Sequence, residues 1–191
     1  QVAVDSYGAR ATGAERLSGQ GTVISPRGQG DLASVRAIKS EGSDNYQLSY
    51  SHPLGARGLR LSIAGSMLEY DLVPQALRAL DLEGSADTAQ LSLTYPLLRT
   101  RSATLRASLT GDWASFENQV QGARASNYNV TRSAIGLSGY RIDEFFGGGV
   151  TSFSGALTAG RAEGVERSEG DFRNDFTIWR YSLARQQPLG G

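Results

Sequence analysis

The residues able to do chemistry are few and lie far apart. One histidine, His52, one lysine, Lys39, and no cysteine occur in 191 residues. Acyl transfer, proton abstraction and thiol chemistry each need a nucleophile or base beside a partner that activates it. No nucleophile–base–acid set can be assembled from this inventory, and a lysine-based dyad would rest on Lys39 alone. His52 precedes Pro53 and has no second histidine with which to share a metal, so an interfacial residue close to a turn is expected there. Without cysteine there is no disulfide framework and no zinc ribbon. The run GGGVTSFSG, residues 147–155, has the glycines of a phosphate cradle but no Gly-Lys-Ser/Thr behind it, and a tight turn with a bend explains it as well. Asp81 and Glu83, and Glu166, Glu169 and Asp171, are carboxylate groups in polar segments. They could hold calcium weakly, but solvated loops are the default. The expectation is therefore no enzyme, no cofactor, and no catalytic, cofactor-binding or metal-ligating residue.

Nineteen basic side chains balance nineteen acidic ones, which argues against a nucleic-acid partner. The first residue is Gln1, not Met, so a mature chain or a fragment is expected. No apolar run approaches the ~18 residues of a spanning helix.

What the sequence has in place of a catalytic set is alternation. In QLSLTYPLLRTRSATLRASLTGDW, residues 90–113, Leu91, Leu93 and Tyr95 fall on one side and Gln90, Ser92 and Thr94 on the other. After PLLRTRS the pattern resumes, with Leu105, Ala107 and Leu109 against Thr104, Arg106 and Ser108. Side chains on a strand alternate between faces, so two strands joined by a turn explain the pattern. The stretch NYQLSYSHPLGARGLRLSIAGSM repeats it, with Tyr46, Leu48 and Tyr50, then Leu59, Leu61 and Ile63 on the apolar side. Arg60 and Ser62 then share the polar side. LSYSHPL and LSLTYPL resemble each other, with Pro53 and Pro96 expected to end equivalent strands, as Pro188 does near the C-terminus.

Ten strands are expected, near 2–7, 15–25, 31–40, 45–53, 58–71, 86–96, 102–117, 130–142, 149–162 and 174–187. PRGQGD, HPLGARG, LLRTRS and EFFGGG read as short connections. LVPQALRALDLEGS, QVQGARASNY and GVERSEGDFRN read as longer ones on the other side, beside the short SEGSD and GARATG. LVPQALRALDLEG could hold a short helix or folded loop, with Leu72, Val73, Leu77 and Leu80 turned inward. Short turns at one end and longer loops at the other mark an up-and-down outer-membrane barrel. Several strands reach the ~9–11 residues that a tilted strand needs to cross a bilayer.

The expected fold is thus all-β, an antiparallel up-and-down transmembrane β-barrel forming one domain over 1–191. Leu59, Leu61, Ile63, Leu91, Leu93, Leu105, Ala107 and Leu109 would face outer-membrane lipid. Arg60, Ser62, Gln90, Ser92, Thr94, Thr104, Arg106 and Ser108 would line a wet lumen. Tyr50, Tyr95, Phe145 and Phe146 near short turns, and Tyr70, Trp113 and Phe116 near long loops, would form two aromatic girdles. The faces of strand ten are ambiguous, with Trp179, Tyr181 and Leu183 set against Phe176 and Ile178. Alternation with one polar face also fits an antiparallel sheet with one solvated side. A passive porin, an autotransporter barrel and a non-enzymatic surface β-protein therefore remain open alternatives.

The segments VAVDSYGARATGAERL, YSHPLGARGLRLSIAGS, LDLEGSADTAQLSLTYPLLRTRSATLRASL and FFGGGVTSFSGALTAG resemble the barrel of two-partner secretion transporters. These form the hemolysin-activator and filamentous-haemagglutinin-transporter family, relatives of the barrel-assembly proteins. The resemblance implies a monomeric sixteen-stranded pore in the outer membrane of a Gram-negative bacterium. It implies two periplasmic POTRA domains and a plug helix ahead of the barrel. It also implies a partner, a large unfolded exoprotein of hemolysin or adhesin type, whose folding at the surface supplies the drive. Asp5, Tyr7 and Gly8 match the family's first-strand motif as strand and turn residues. This sequence stops near the tenth strand, so about ten strands of an incomplete sixteen-stranded barrel are expected, and the family's later loop with its Val-Arg-Gly-Tyr/Phe motif is not carried over.

Overall fold

The computed structural model describes residues 1–6, 12–73, 82–166 and 170–188. Ten strands follow one another: β1 (Val2–Asp5), β2 (Arg16–Ile24), β3 (Leu32–Ser40), β4 (Ser43–Leu54), β5 (Leu59–Asp71), β6 (Leu82–Arg99), β7 (Ala103–Val120), β8 (Ala123–Asp143), β9 (Gly149–Glu166) and β10 (Gly170–Gln186). They form one sheet in the order β1-β2-β3-β4-β5-β6-β7-β8-β9-β10. Each strand pairs antiparallel with its chain neighbours. The sheet does not close on itself, because β1 and β10 stand at its two edges. Tyr7, Gly8, Leu77, Leu80, Asp81 and Glu169, and with them the expected helix or folded loop, lie outside the described residues.

The strands end later than the alternation of their residues suggests. QVQGARASNY, expected as a long loop, is the tip of a hairpin: β7 runs to Val120, β8 starts at Ala123, and only Gln121 and Gly122 turn the chain. Both take left-handed backbone, φ 54° and 68°, the two-residue turn whose twist matches that of the strands it joins. Likewise β9 continues to Glu166 and β10 begins at Gly170. The reason is physical. Above a bilayer both faces of a hairpin meet water, so alternation disappears while backbone pairing persists. The 18 residues of β7, at about 3.4 Å each, run roughly 60 Å. That length exceeds what a tilted strand needs to cross a ~30 Å hydrocarbon layer.

Pro96 does not end its strand. It faces Arg106, Leu98 faces Leu105, and the register shifts between Pro96 and Leu98. Proline has no ladder donor, and a bulge absorbs that loss while β6 carries on to Arg99.

Register sorts every strand into two faces, since directly opposed residues point the same way. Leu61, Leu93, Leu109, Ile135, Leu157 and Trp179 form one continuous row across β5–β10. Ser62, Ser92, Thr110, Ala134, Thr158 and Ile178 form the adjacent row on the opposite face. The ambiguity on β10 is thereby settled: Trp179, Tyr181 and Leu183 share the face of Leu157, Gly155 and Phe153, and Phe176 and Ile178 take the other.

Candidate functional site

The two faces differ in crowding as well as chemistry. Thr104 and Ala114 on the polar face are 5% and 6% exposed, whereas Leu91, Leu109 and Ile135 on the apolar face are 51%, 52% and 59% exposed. Side chains crowd on the inside of a curled sheet and splay on the outside. A hollow of about 530 Å³ runs across the polar side from β2 to β8, lined by residues such as Gln20, Ser34, Ser66, Gln90 and Arg132.

All eight residues expected to line a lumen lie on this face. Arg60 opposes Thr94, Ser62 opposes Ser92, and Gln90 opposes Asp112. Ser108 opposes Thr94, Arg106 opposes Ser138, and Thr104 opposes Tyr140. The eight expected lipid-facing residues share the opposite face: Leu59 across from Leu54, Leu61 from Leu93, Ile63 from Leu91, Leu109 from Leu93, Leu105 from Gly139, and Ala107 from Leu137.

Some of the polar side chains pair with one another. Gln90 Nε2 donates to Asp112 Oδ1 at 2.6 Å, and Arg132 Nε stands 4.0 Å from Asp112 Oδ2. Arg60 donates to Ser51 Oγ at 2.6 Å and to the Gly30 carbonyl at 3.1 Å. The hydroxyls of Ser66 and Thr88 meet at 2.7 Å, and Asp5 pairs with Arg16 at 2.6 Å. Arg16, Arg36, Arg60, Arg106, Arg132 and Arg180 share this face with far fewer carboxylates, chiefly Asp5 and Asp112. The surface is polar and net basic.

Charge on the apolar face is confined to its two ends. Arg161 and Asp175 pair at 2.6 Å near one end of β9 and β10. Asp143 and Arg185 pair at 2.9 Å near the other. Between Thr151 and Arg161 this face of β9 carries Phe153, Gly155, Leu157 and Ala159. That interval matches the ~9–11 residues of a tilted membrane-crossing strand. On β3 and β4 the pair Lys39–Asp44, at 2.7 Å, lies at the same end of the sheet, two rows of this face further out.

At the short-turn end the connection between β2 and β3 holds a cluster that sequence reasoning missed. Asp31 is fully buried. Its carboxylate accepts the Tyr50 hydroxyl at 2.8 Å and lies 3.7 Å from Arg27 Nε. Arg27 sits over the Tyr50 ring, 5.8 Å from its centre, and its Nη2 lies 3.3 Å from His52 Nε2. Burial pushes the Asp31 carboxyl up. The bonds it accepts, from the Tyr50 hydroxyl first and then from backbone amides, outweigh that and hold it below its ordinary value. His52 therefore serves as a ring stacked on Tyr50, 6.3 Å between centres. No sequence spacing links positions 27, 31, 50 and 52. The pairing of β3 with β4 brings them together.

The aromatic girdles need correcting. Tyr50, Tyr95 and Trp113 lie on the apolar face, but Tyr70 and Phe116 lie on the polar one. Tyr70 reaches over Gly84 to donate to Asn118 Oδ1 at 2.7 Å. Phe116 stacks on Tyr128, 4.9 Å between ring centres. Neither residue breaks the alternation of its own strand. Closeness to a strand end does not set the face of a residue; strand parity does.

Comparison with known proteins places this geometry. A family model described as haemolysin secretion/activation protein ShlB/FhaC/HecB matches residues 1–191. Among solved structures, CdiB from Escherichia coli superposes with a TM-score of 0.79 at 20% identity, over 99% of this chain and 37% of that one. CdiB from Acinetobacter baumannii superposes with a TM-score of 0.58 at 13% identity, over 92% of this chain and 37% of that one. At such identities the likeness speaks for the fold, and the chain spans little more than a third of either protein. Curated protein sequences give no match.

Proposed function

The chain belongs to the haemolysin secretion/activation ShlB/FhaC/HecB family, and on that premise we propose that it forms part of the wall of an outer-membrane pore that exports a large unfolded exoprotein. The apolar face, with Leu59, Leu61, Ile63, Leu91, Leu93, Leu105 and Leu109, meets lipid. The polar face, with Arg60, Ser62, Gln90, Ser92, Thr94, Thr104, Arg106 and Ser108, meets a water-filled lumen. Edge strands β1 and β10 pair with further strands of the same barrel, because an unpaired backbone edge in hydrocarbon costs several kcal/mol per group. The whole transporter is a single-chain pore, with POTRA domains receiving the exoprotein on the periplasmic side.

One observation carries this reading: the apolar face is free of charge over one bilayer-crossing length and bounded at both ends by ion pairs, Arg161–Asp175 and Asp143–Arg185. A sheet with one face in water has no reason to confine charge in this way. The polar face offers a passing chain hydroxyl, amide and guanidinium groups, some paired with one another as Gln90, Asp112 and Arg132 are.

Export is tested with the full-length gene carried alone or together with an adjacent exoprotein gene. Appearance of the exoprotein outside the cell only when both are present is the expected result. An outer-membrane protein that admits small solutes but leaves the exoprotein in the periplasm would indicate a passive pore instead.

A further inference from the structure

The polar face is not polar throughout. On its long-hairpin side, one register row carries Phe116 of β7, Tyr128 of β8, Gly164 of β9 and Phe172 of β10. The Phe116 and Tyr128 rings stack at 4.9 Å, and Tyr128 and Phe172 are 6.3 Å apart between centres. Gly164, between them, is what lets the two rings converge: a Cβ there would lie 2.5 Å from Tyr128 Cβ. Two rows further from the hairpin tips, Phe176 and the Arg132 side chain both lie over Gly160. In the Phe116 row, β4 carries Asn45.

Cover over a glycine is one use for an aromatic ring in a curved sheet, and it accounts for Phe176. It does not account for Phe116, which opposes Tyr128 directly with no glycine between them. Three rings in one row run around the wall, across the strands, over about 14 Å at ~4.8 Å per strand. Lipid is on the other side of the sheet, and a second folded copy cannot enter a pore. On the export reading, the exported chain is the partner that passes these rings along the strand direction.

We propose that Phe116, Tyr128 and Phe172 form an aromatic arc that contacts the exported polypeptide as an extended chain, taking up its apolar side chains near the long-hairpin end of the lumen. This rests on the export reading above. Rings are suited to the task because their faces accept any apolar or aromatic side chain without a fixed register. The arginine excess on the rest of the face favours acidic stretches of the same passenger.

The experiment uses the full-length transporter in cells with an exoprotein arrested in transit by a folded tag at its trailing end. A photocrosslinking amino acid replaces Phe172 or Phe116 on the arc, Asn45 in the same row, or Thr131 on the apolar face. The expected result is passenger crosslinked strongly at positions 172 and 116, weakly at 45 and not at 131. Phe172→Ala with Tyr128→Ala should slow export while outer-membrane abundance and heat-modifiable migration stay unchanged, and Phe172→Trp should restore the rate. Crosslinks at 45 with none at 172 or 116 would overturn the arc and leave export standing. So would capture of the transporter's own chain at 172 during transit. Failure of the unmodified transporter to export any exoprotein would remove the export reading itself, and the arc with it.

Discussion

Arg161 Nε lies 2.6 Å from Asp175 Oδ1 on the apolar face of the sheet, one row of side chains beyond Ala159 and Thr177. At the other end of the same two strands Arg185 bridges over Gly149 to Asp143, at 2.9 Å, and to the Thr151 hydroxyl at 2.8 Å. Between these pairs that face of β9 and β10 has no charged residue. On the proposed reading the two pairs bound the hydrocarbon layer.

A charge placed between them is therefore expected to be costly. Leu93 lies in the row of Leu109, Ile135 and Leu157, within the uncharged band. Leu93→Arg should cost about 2–4 kcal/mol near the membrane midplane, and Ser92→Arg, one residue away but on the polar face, far less. Refolding of the full-length protein into lipid vesicles across a urea series measures both. Equal costs would contradict the face assignment.

The β7–β8 hairpin is expected to be rigid nearly to its tip. Gly122 has φ 68°, and an L side chain held there costs about 1–2 kcal/mol. Gly122→Val should loosen the tip locally without altering insertion. Amide exchange in the parent protein should show protection along the outer part of β7 and β8 as far as Val120 and Ala123. Fast exchange throughout residues 119–128 would restore the loop reading.

How far the sequence alone could lead is clear from these elements. The segment from Gln90 to Trp113 revealed its strands because one side met an apolar phase and the other did not. The outer halves of β7–β10 were illegible for the opposite reason: residues such as Glu117, Arg124, Glu163 and Arg173 put charge on the face that is apolar lower down, so period two carries no contrast there. The family resemblance and the number of strands were readable throughout. The Asp31 cluster was not, since its members meet only when β3 pairs with β4, and neither was the side on which Tyr70 and Phe116 fall.

Acid should weaken the turn between β2 and β3. The Asp31 carboxyl is held below its ordinary value in the folded protein, and the unfolded value is about 3.9. A carboxyl lowered by folding contributes stability that is fully present above the unfolded pKa and lost as pH falls through the folded one. Asp31→Asn should lower stability near neutrality and reduce its loss in acid. Urea unfolding in detergent at both conditions tests this, and an unchanged acid dependence in the variant would remove Asp31 from the cause.

Residues 1–191 produced alone should not make a uniform pore. The edge strands β1 and β10 do not pair with each other, and strands shaped for a wide barrel do not close readily as a narrow one. Open edges and an exposed apolar face favour aggregation in water. In planar bilayers, stable and uniform conductance steps from this chain would show that it closes by itself.

The division of the sheet into a lipid face and a water face is tested most directly by thiol accessibility. These 191 residues contain no cysteine, so a single cysteine introduced among them is the only thiol they carry. Cysteines are placed one at a time at Gln90, Leu91, Ser92, Leu93 and Thr94 in the full-length protein in intact outer membranes. They are then exposed to a small membrane-impermeant maleimide. Labelling should alternate, fast at positions 90, 92 and 94 and absent at 91 and 93. Equal labelling at all five, or alternation of the opposite phase, would contradict the wall of a water-filled pore.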